Sequence, residues 1–273
     1  MTGLTTDLIQ TALRDITAIR RVEHHASIGS TNDRARELAQ ADQPEIALVS
    51  ADEQTAGRGR QNRSWYTPAG TALALSLLVR PVIPARQAMR LTMLAGLAAV
   101  EGIEQATGLR LDLKWPNDVV AVNNPPRHPS TFHPYWLKVG GILTEAAFGG
   151  DAIEYAVIGL GINVNVDFGG HGELRNIATS LKELSGNPID RAVVLKEIVA
   201  ALVKRYARLR GDELQAAWAA RLINLKRTLR VQLDAEIVEG YAEGVDDDGA
   251  LLVRTDNGDV RRLLSGDVTL HNV

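Results

Sequence analysis

Cysteine is absent from the 273 residues. A disulfide framework, a thiolate nucleophile and a cysteine-ligated metal are thereby excluded, and the absence agrees with a reducing compartment, so the chain is expected in the cytoplasm. Long apolar runs are missing as well. No stretch approaches the roughly 20 residues that cross a bilayer, and the amphipathic opening "MTGLTTDLIQTALRDITAIRR" carries Asp7 and Asp15 where a signal peptide keeps an unbroken apolar core. No membrane association is expected. An excess of either charge is lacking too: Lys+Arg 30 against Asp+Glu 33 leaves a net charge of −3, with no general attraction to nucleic acid or anionic lipid. Aromatic residues make up only 4%, which together with the acidic balance counts against an RNA-stacking surface. What remains is globular, with 45% hydrophobic and 23% charged residues and enough length for one large domain and a small one.

The texture along the chain supports that division. Ser30 and Thr31 precede "NDRARELAQA", a helix start with Asp33 three residues after Ser30 as in a capping box. "EIALVSADEQ" reads as a strand, and in "TALALSLLVR" Leu73, Leu75, Leu77 and Val79 share one face. A helix over "ARQAMRLTMLAGLAAVEGIEQATG" ends near Gly108. "LRLDLKWPNDVVAV" reads as a strand bent at Pro116, followed by strands at "KVGGILTEAAF" and "YAVIGLGINVNV". Val194, Ile198, Leu202, Tyr206 and Leu209 lie at helical spacing, and "DELQAAWAARL" continues the helical region. From about Lys226 short strands alternate with Asp-Gly and Asn-Gly turns. A domain over 1–225 and a small β-barrel over 226–273 are therefore expected. The stretch Asn123 to Trp136, with four prolines in fourteen residues, reads as a surface extension.

Four segments carry chemistry. "QTAGRGRQNRSW" sets Arg58, Arg60 and Arg63 among glycines, which suits a phosphate or carboxylate through backbone amides and guanidinium forks, or else forms a solvated charged turn. The dinucleotide fingerprint fails because Asn62 stands where its third glycine belongs, and no Gly-Lys-Ser/Thr ending makes a P-loop. "KWPND" offers Lys114, Asn117 and Asp118 to one cleft, or makes an Asx-type turn. "LKVGGILTE" places Lys138 ahead of Gly140 and Gly141, glycines of the kind that admit a close approach, and "GLGINVN" adds the amides of Asn163 and Asn165 beside Gly159 and Gly161. His128 and His133 lack acidic partners and are not read as a metal site.

Taken together, "STN", the "QTAGRGR" loop with Arg63 and Trp65, "KWPND", Lys138 with "GGILTE", and "GLGINVN" resemble, in order and spacing, the biotin protein ligase family, also called biotin–[acetyl-CoA-carboxylase] ligase. The resemblance covers about residues 25 to 270. It implies an α+β catalytic domain with a mixed sheet, like the class II aminoacyl-tRNA synthetase and biotin synthetase fold, and a C-terminal SH3-like barrel. It also implies a two-step reaction in which biotin and MgATP give biotinyl-5′-AMP and pyrophosphate, after which a lysine of a biotin carboxyl carrier protein takes the biotin. By resemblance, Ser30, Thr31, Gln54, Gly57, Arg58 and Gly140 contact biotin, and Lys138 lies between its carboxylate and the α-phosphate. Arg60, Arg63, Trp65, Asn117 and Asn163 meet the adenylate. Lys138, Arg60, Asp118 and Lys114 form the catalytic set, with Asp118 serving Mg²⁺ or the incoming lysine. One departure is the long segment between Asp118 and Lys138, where many relatives have a short hairpin. A lipoate or octanoate ligase or transferase of the same fold is the alternative, which the arginine loop, "KWPND" and the tail disfavour. Some relatives also repress transcription through an N-terminal winged helix. The roughly 25 residues before "IGSTN" are too few for that module, so no DNA partner is expected. An exposed sheet edge makes a homodimer a candidate assembly.

Overall fold

The computed structural model describes residues 3–43, 45–122, 136–233 and 236–270. Its first helix, α1 (Thr6–Leu13), is capped by Thr5, whose hydroxyl accepts from Leu8 N at 3.2 Å. β1 (Arg21–His25), α2 (Thr31–Gln40), β2 (Ala47–Ala51) and β3 (Leu73–Val79) follow, then the long helix α3 (Met89–Thr107), which ends at Gly108 in the left-handed region with φ 72°. β4 (Asp112–Lys114), β5 (Asp118–Val122), β6 (Trp136–Gly149) and β7 (Ala152–Ile162) complete a seven-stranded sheet of order β1-β2-β3-β7-β6-β5-β4. β1 and β2 run parallel and every other neighbouring pair is antiparallel, so the sheet is mixed as expected.

The alternation in β3 decides how the layers pack. Leu73, Leu75, Leu77 and Val79 join the main core beneath α3 and α5 (Arg191–Tyr206), while Leu78 packs with Ala35 and Leu38 of α2 on the opposite face. The helical stripe of α5 is buried as its spacing demands, with Val194, Ile198 and Leu202 all at 0% exposure. α4 (Leu181–Ser185) and α6 (Glu213–Ala219) are short. The tail forms β8 (Thr228–Gln232), β9 (Ile237–Val245), β10 (Leu251–Arg254), β11 (Val260–Leu263) and β12 (Asp267–Leu270), a five-stranded antiparallel sheet of order β11-β10-β9-β8-β12. It does not stand apart, because Leu229, Val231 and Val253 belong to the same apolar cluster as the larger sheet. Trp115 Nε1 also donates to Gly249 O at 3.1 Å, and Gln215 Nε2 to Val245 O at 2.6 Å.

Two local expectations are corrected, and one strand is added. "KWPND" is not a bent strand but a hairpin turn, because Lys114 pairs in register with Asp118 and the chain reverses over Trp115–Asn117. β1 is absent from the sequence reading: its alternation of Arg21, Glu23 and His25 with Val22 and His24 carries little apolar signal, and it sits at the sheet edge. The capping box does not form either. Ser30 occupies the N-cap of α2 without a side-chain cap bond, and Asp33 accepts from Arg36 and Arg58. Two guanidiniums outcompete a neutral backbone amide for a carboxylate. Most of the proline-rich segment, residues 123–135, lies outside the described residues. Among the described residues no helix is long and apolar enough to cross a membrane.

Candidate active site

A cavity of about 530 Å³ opens where the first turn of α2, the arginine loop, the β4–β5 hairpin, the first half of β6, the end of β7, residues 168–178 and the start of β12 converge. Ser30, Thr31, Gln54, Arg58, Arg60, Arg63, Trp65, Lys114, Asn117, Asp118, Lys138 and Asn163, drawn from five separate stretches of sequence, all line it. Gly57 and Gly140 do not. A Cβ at Gly57 would stand 2.8 Å from Trp65 O, and one at Gly140 would stand 2.6 Å from Ile162 Cδ1. Their small size serves the packing of the loop and of β6 on β7.

One end of the cavity is built of neutral polar groups. Gln54 Oε1 accepts from Thr31 N at 2.8 Å and from Thr31 Oγ1 at 3.0 Å, which ties the loop to the start of α2. Ser76 Oγ lies 2.7 Å from Thr31 Oγ1 and 2.6 Å from Asn32 Oδ1, and Asn32 Nδ2 donates to Glu145 Oε2 at 2.6 Å. Asn32 can lie so close to β7 because residue 159 is glycine: a Cβ there would be 2.2 Å from its Oδ1.

The other end is cationic. Lys138 Nζ lies 2.6 Å from Asp118 Oδ1 and 5.4 Å from the centre of the Trp65 ring. Lys114 Nζ lies 4.7 Å from the ring centre of Trp136. Burial is the main influence on Lys114, which is 8% exposed, and pushes its ammonium below the usual lysine range; Asp118 opposes that shift. Burial also lowers the Arg60 guanidinium, against the attraction of Asp267 and Asp118. Its Nη1 makes one long contact, 3.4 Å to Asn117 Oδ1, while Asn117 Nδ2 donates to Ile142 O at 2.7 Å. Asn163 donates from Nδ2 to Thr179 O at 3.1 Å.

The floor between the two ends is bare backbone. A Cβ on Gly161 would meet Trp65 Nε1 at 2.3 Å, and one on Gly141 would meet Lys138 Nζ at 3.3 Å, so two neighbouring strands give up side chains to make room for an indole and an ammonium. Trp65 Nε1 is buried without a hydrogen-bond partner. Phe168, Leu174 and Ile177 rim the mouth, and Gly266, Asp267 and Val268 of the tail close one wall, where Asp267 pairs with Arg63. Sequence reasoning missed Asn32, Trp136 and Asp267 as lining residues. The "STN" motif contained the first, while the other two had no local signal. Among the described residues no three His, Cys, Asp or Glu side chains cluster as a metal site.

A mixed sheet bearing a cavity with a neutral polar end and a cationic end suits an acid-activating ligase, and residues 25–163 match the biotin/lipoate A/B protein ligase family. Residues 227–270 match the biotin protein ligase C-terminal domain. The chain is 38% identical to the bifunctional ligase/repressor BirA of Bacillus subtilis, over 90% of this chain and 73% of that one. It is 32% identical to the biotin–[acetyl-CoA-carboxylase] ligase of Paracoccus denitrificans, over 84% and 92%. The biotin protein ligase of Aquifex aeolicus, solved with biotin and ATP, superposes with a TM-score of 0.74 at 25% identity, covering 93% of this chain and 100% of that chain. The protein therefore belongs to the biotin protein ligase family, and the biotin reading prevails over the lipoate alternative.

Proposed function

We propose that this cavity makes biotinyl-5′-AMP and then passes biotin to a lysine of a biotin carboxyl carrier protein. The observation that carries the reading is the one cavity with a neutral polar end and a cationic end, the latter holding Lys138 on Asp118 at 2.6 Å. The neutral end, with Ser30, Thr31, Gln54 and the backbone of Arg58, takes the uncharged head of biotin. The biotin carboxylate then replaces Asp118 as the partner of Lys138. A carboxylate oxygen attacks the α-phosphorus of ATP, the bond to the β-phosphate breaks and pyrophosphate leaves. Lys138, Lys114 and Arg60 stabilise the negative charge that develops there. Arg63, Trp65, Asn117 and Asn163 hold the nucleotide.

Asp118, released from Lys138, faces the second step. The carrier lysine arrives as an ammonium, since its unperturbed pKa is about 10.4; Asp118 orients it and accepts its proton, the amine attacks the acyl carbon, and AMP leaves with the bonding pair. Asp118 also fits as the one protein carboxylate for Mg²⁺, which commonly takes one or two carboxylates plus substrate phosphates and would neutralise phosphate charge there. We take 1–225 as the catalytic domain and 226–273 as a module that completes its wall through Asp267. The outer strand β1 is the candidate edge for a homodimer, and the net charge of −3 supports ligation without DNA contact. Incubation with biotin, MgATP and a biotin carboxyl carrier domain tests the reading. A biotin-sized mass gain on one carrier lysine, dependent on ATP and not reproduced with lipoate, is expected; no gain would refute it.

A further inference from the structure

The sequence presents the three loop arginines as one cluster, and the structure separates them. Arg63 turns to Asp267 and to Gln61 Oε1, the latter at 2.9 Å. Arg60 is half-buried, with its one long contact on Asn117. Arg58 is bidentate on Asp33, with Nη1 2.8 Å from Oδ2 and Nη2 2.6 Å from Oδ1. Asp33 is held in turn by Arg36 at 2.9 Å, and Arg36 reaches Glu145 of β6 at 3.0 Å.

The geometry of the loop shows what this pair does. The loop folds back on itself: Trp65 N donates to Gly57 O at 2.9 Å and Gly59 N to Arg63 O at 2.7 Å. Its base is joined to α2 twice, through Gln54 on Thr31 and through Arg58 on Asp33. The segment entering the loop is also bonded to the chain ahead of α2, through Thr55 N on Ile28 O and Ala56 N on Gly29 O, both at 2.9 Å; the Arg58 pair, two residues beyond Thr31, adds the charged attachment to α2. Arg58 and Asp33 are both partly exposed, at 35% and 39% of their side chains, so the pair adds little to global stability.

We propose that Asp33 is a positioning residue for the arginine loop, clamping Arg58 against α2 so that the backbone of Arg58 and Gly59 stands over the neutral polar end of the cavity. On this assignment Arg58 is an anchor, and Arg60 is the loop guanidinium directed at the anionic part of the ligand. The Arg58 hydrogen bonds, before any other influence, hold the Asp33 carboxyl below its ordinary range, so the clamp stays charged at neutral pH.

The inference rests on the biotin ligase reading for the ligand, though not for the clamp itself. Asp33→Asn removes the charge at constant size, Asp33→Glu retains it, and Arg58→Gln removes the other partner. Three quantities are measured on the full chain: tryptic nicking after Arg60 and Arg63 without ligand, the melting temperature, and the KM values for biotin and ATP in pyrophosphate exchange. Asp33→Asn should be nicked several-fold faster and raise the KM for biotin about tenfold, with the KM for ATP within about twofold and melting nearly unchanged. Asp33→Glu should restore most of both, and the Asp33→Asn/Arg58→Gln double variant should be no worse than Arg58→Gln alone. Native nicking and native KM for biotin in Asp33→Asn, additive effects in the double variant, or a fall in melting that parallels the nicking would each overturn the assignment. If the wild type performs no biotin-dependent exchange, the functional reading fails, while the nicking comparison still decides whether the clamp exists.

Discussion

Replacing Lys138 by alanine should separate the chemistry of the cavity from its construction. The backbone of Lys138 is pinned independently of its side chain, since its N donates to Ile177 O and its O accepts from Thr179 N, both at 2.9 Å. Those bonds survive truncation. The Lys138 side chain is 30% exposed, so loss of its pair with Asp118 should cost about 1 kcal/mol, a shift of roughly 2–4 °C in melting for a chain of this size. Asp118 does not become an isolated charge, because Lys114 stands opposite it across the hairpin. In catalysis the same ammonium faces charge that develops on the carboxylate and α-phosphate, and removing one such donor costs about a hundredfold to a thousandfold in kcat, or roughly 3–4 kcal/mol. The catalytic loss should thus exceed the structural one severalfold. Biotin-dependent exchange of labelled pyrophosphate into ATP, run beside thermal melting, measures both. Lys138→Arg, which keeps the charge and changes its placement, should fall between alanine and wild type. An alanine variant that melts normally and exchanges at the native rate would refute the role assigned here.

Gly161→Ala would place a Cβ 2.3 Å from Trp65 Nε1; the indole must move, so the KM for ATP should rise about tenfold with an overpacking cost of about 1–3 kcal/mol, and an unchanged KM would show that the placement of the ring is immaterial. Lys114→Met removes a cation that burial holds below its ordinary pKa. Between that lowered value and about 10.4 the unfolded chain binds more protons, so the wild type gains stability as pH rises through that window. The methionine variant should lose this slope, melt no lower than wild type at neutral pH, and lose about a hundredfold in exchange; a markedly lower melting point would contradict the argument. Glu23, held by the Arg34 hydrogen bond first and by Arg21 as well, has its carboxyl lowered from 4.5 to about 2. Its stabilisation is complete above the unfolded value and disappears as pH falls through the folded one, so Glu23→Gln should cost about 1–2 kcal/mol in urea unfolding at pH 7, with most of that cost gone near pH 2. A deficit independent of pH would show that the pair is not its source.

Much of the fold was legible because its signals are local. Leu73 to Val79 alternate for a two-faced strand, Val194 to Leu202 repeat for a helix, and Gly108 stops one. β1 was not legible, since a short strand of arginine, glutamate and histidines at a sheet edge has almost no apolar face to announce it. "KWPND" showed its residues but not its reversal, which depends on β4 and β5 finding each other in register. The site followed the same division. Residues in compact motifs, such as Gln54, Arg60 and Lys138, were found. Asp33 was seen only as a helix cap, because its true partner lies 25 residues away, and Asp267 was not seen at all, because 204 residues separate it from Arg63. A window of sequence contains the Asp33–Arg36 pair, three residues apart on one helix; the long-range pairs are a property of the packed chain.

The placement of the tryptophans has an optical consequence. The chain has four. Trp115 and Trp218 are buried at 0% and 2% exposure, and their emission should stay constant while the fold is intact. Trp65 and Trp136 line the cavity, each with a lysine ammonium within 5.4 Å of its ring, and indole emission responds to a neighbouring charge. The protein therefore carries its own pair of reporters, one beside Lys138 and one beside Lys114, over an unchanging background. Single Trp→Phe replacements would assign a fluorescence change on mixing to one lysine or the other, so the order in which ligands reach the two could be read in a stopped-flow trace without any attached dye.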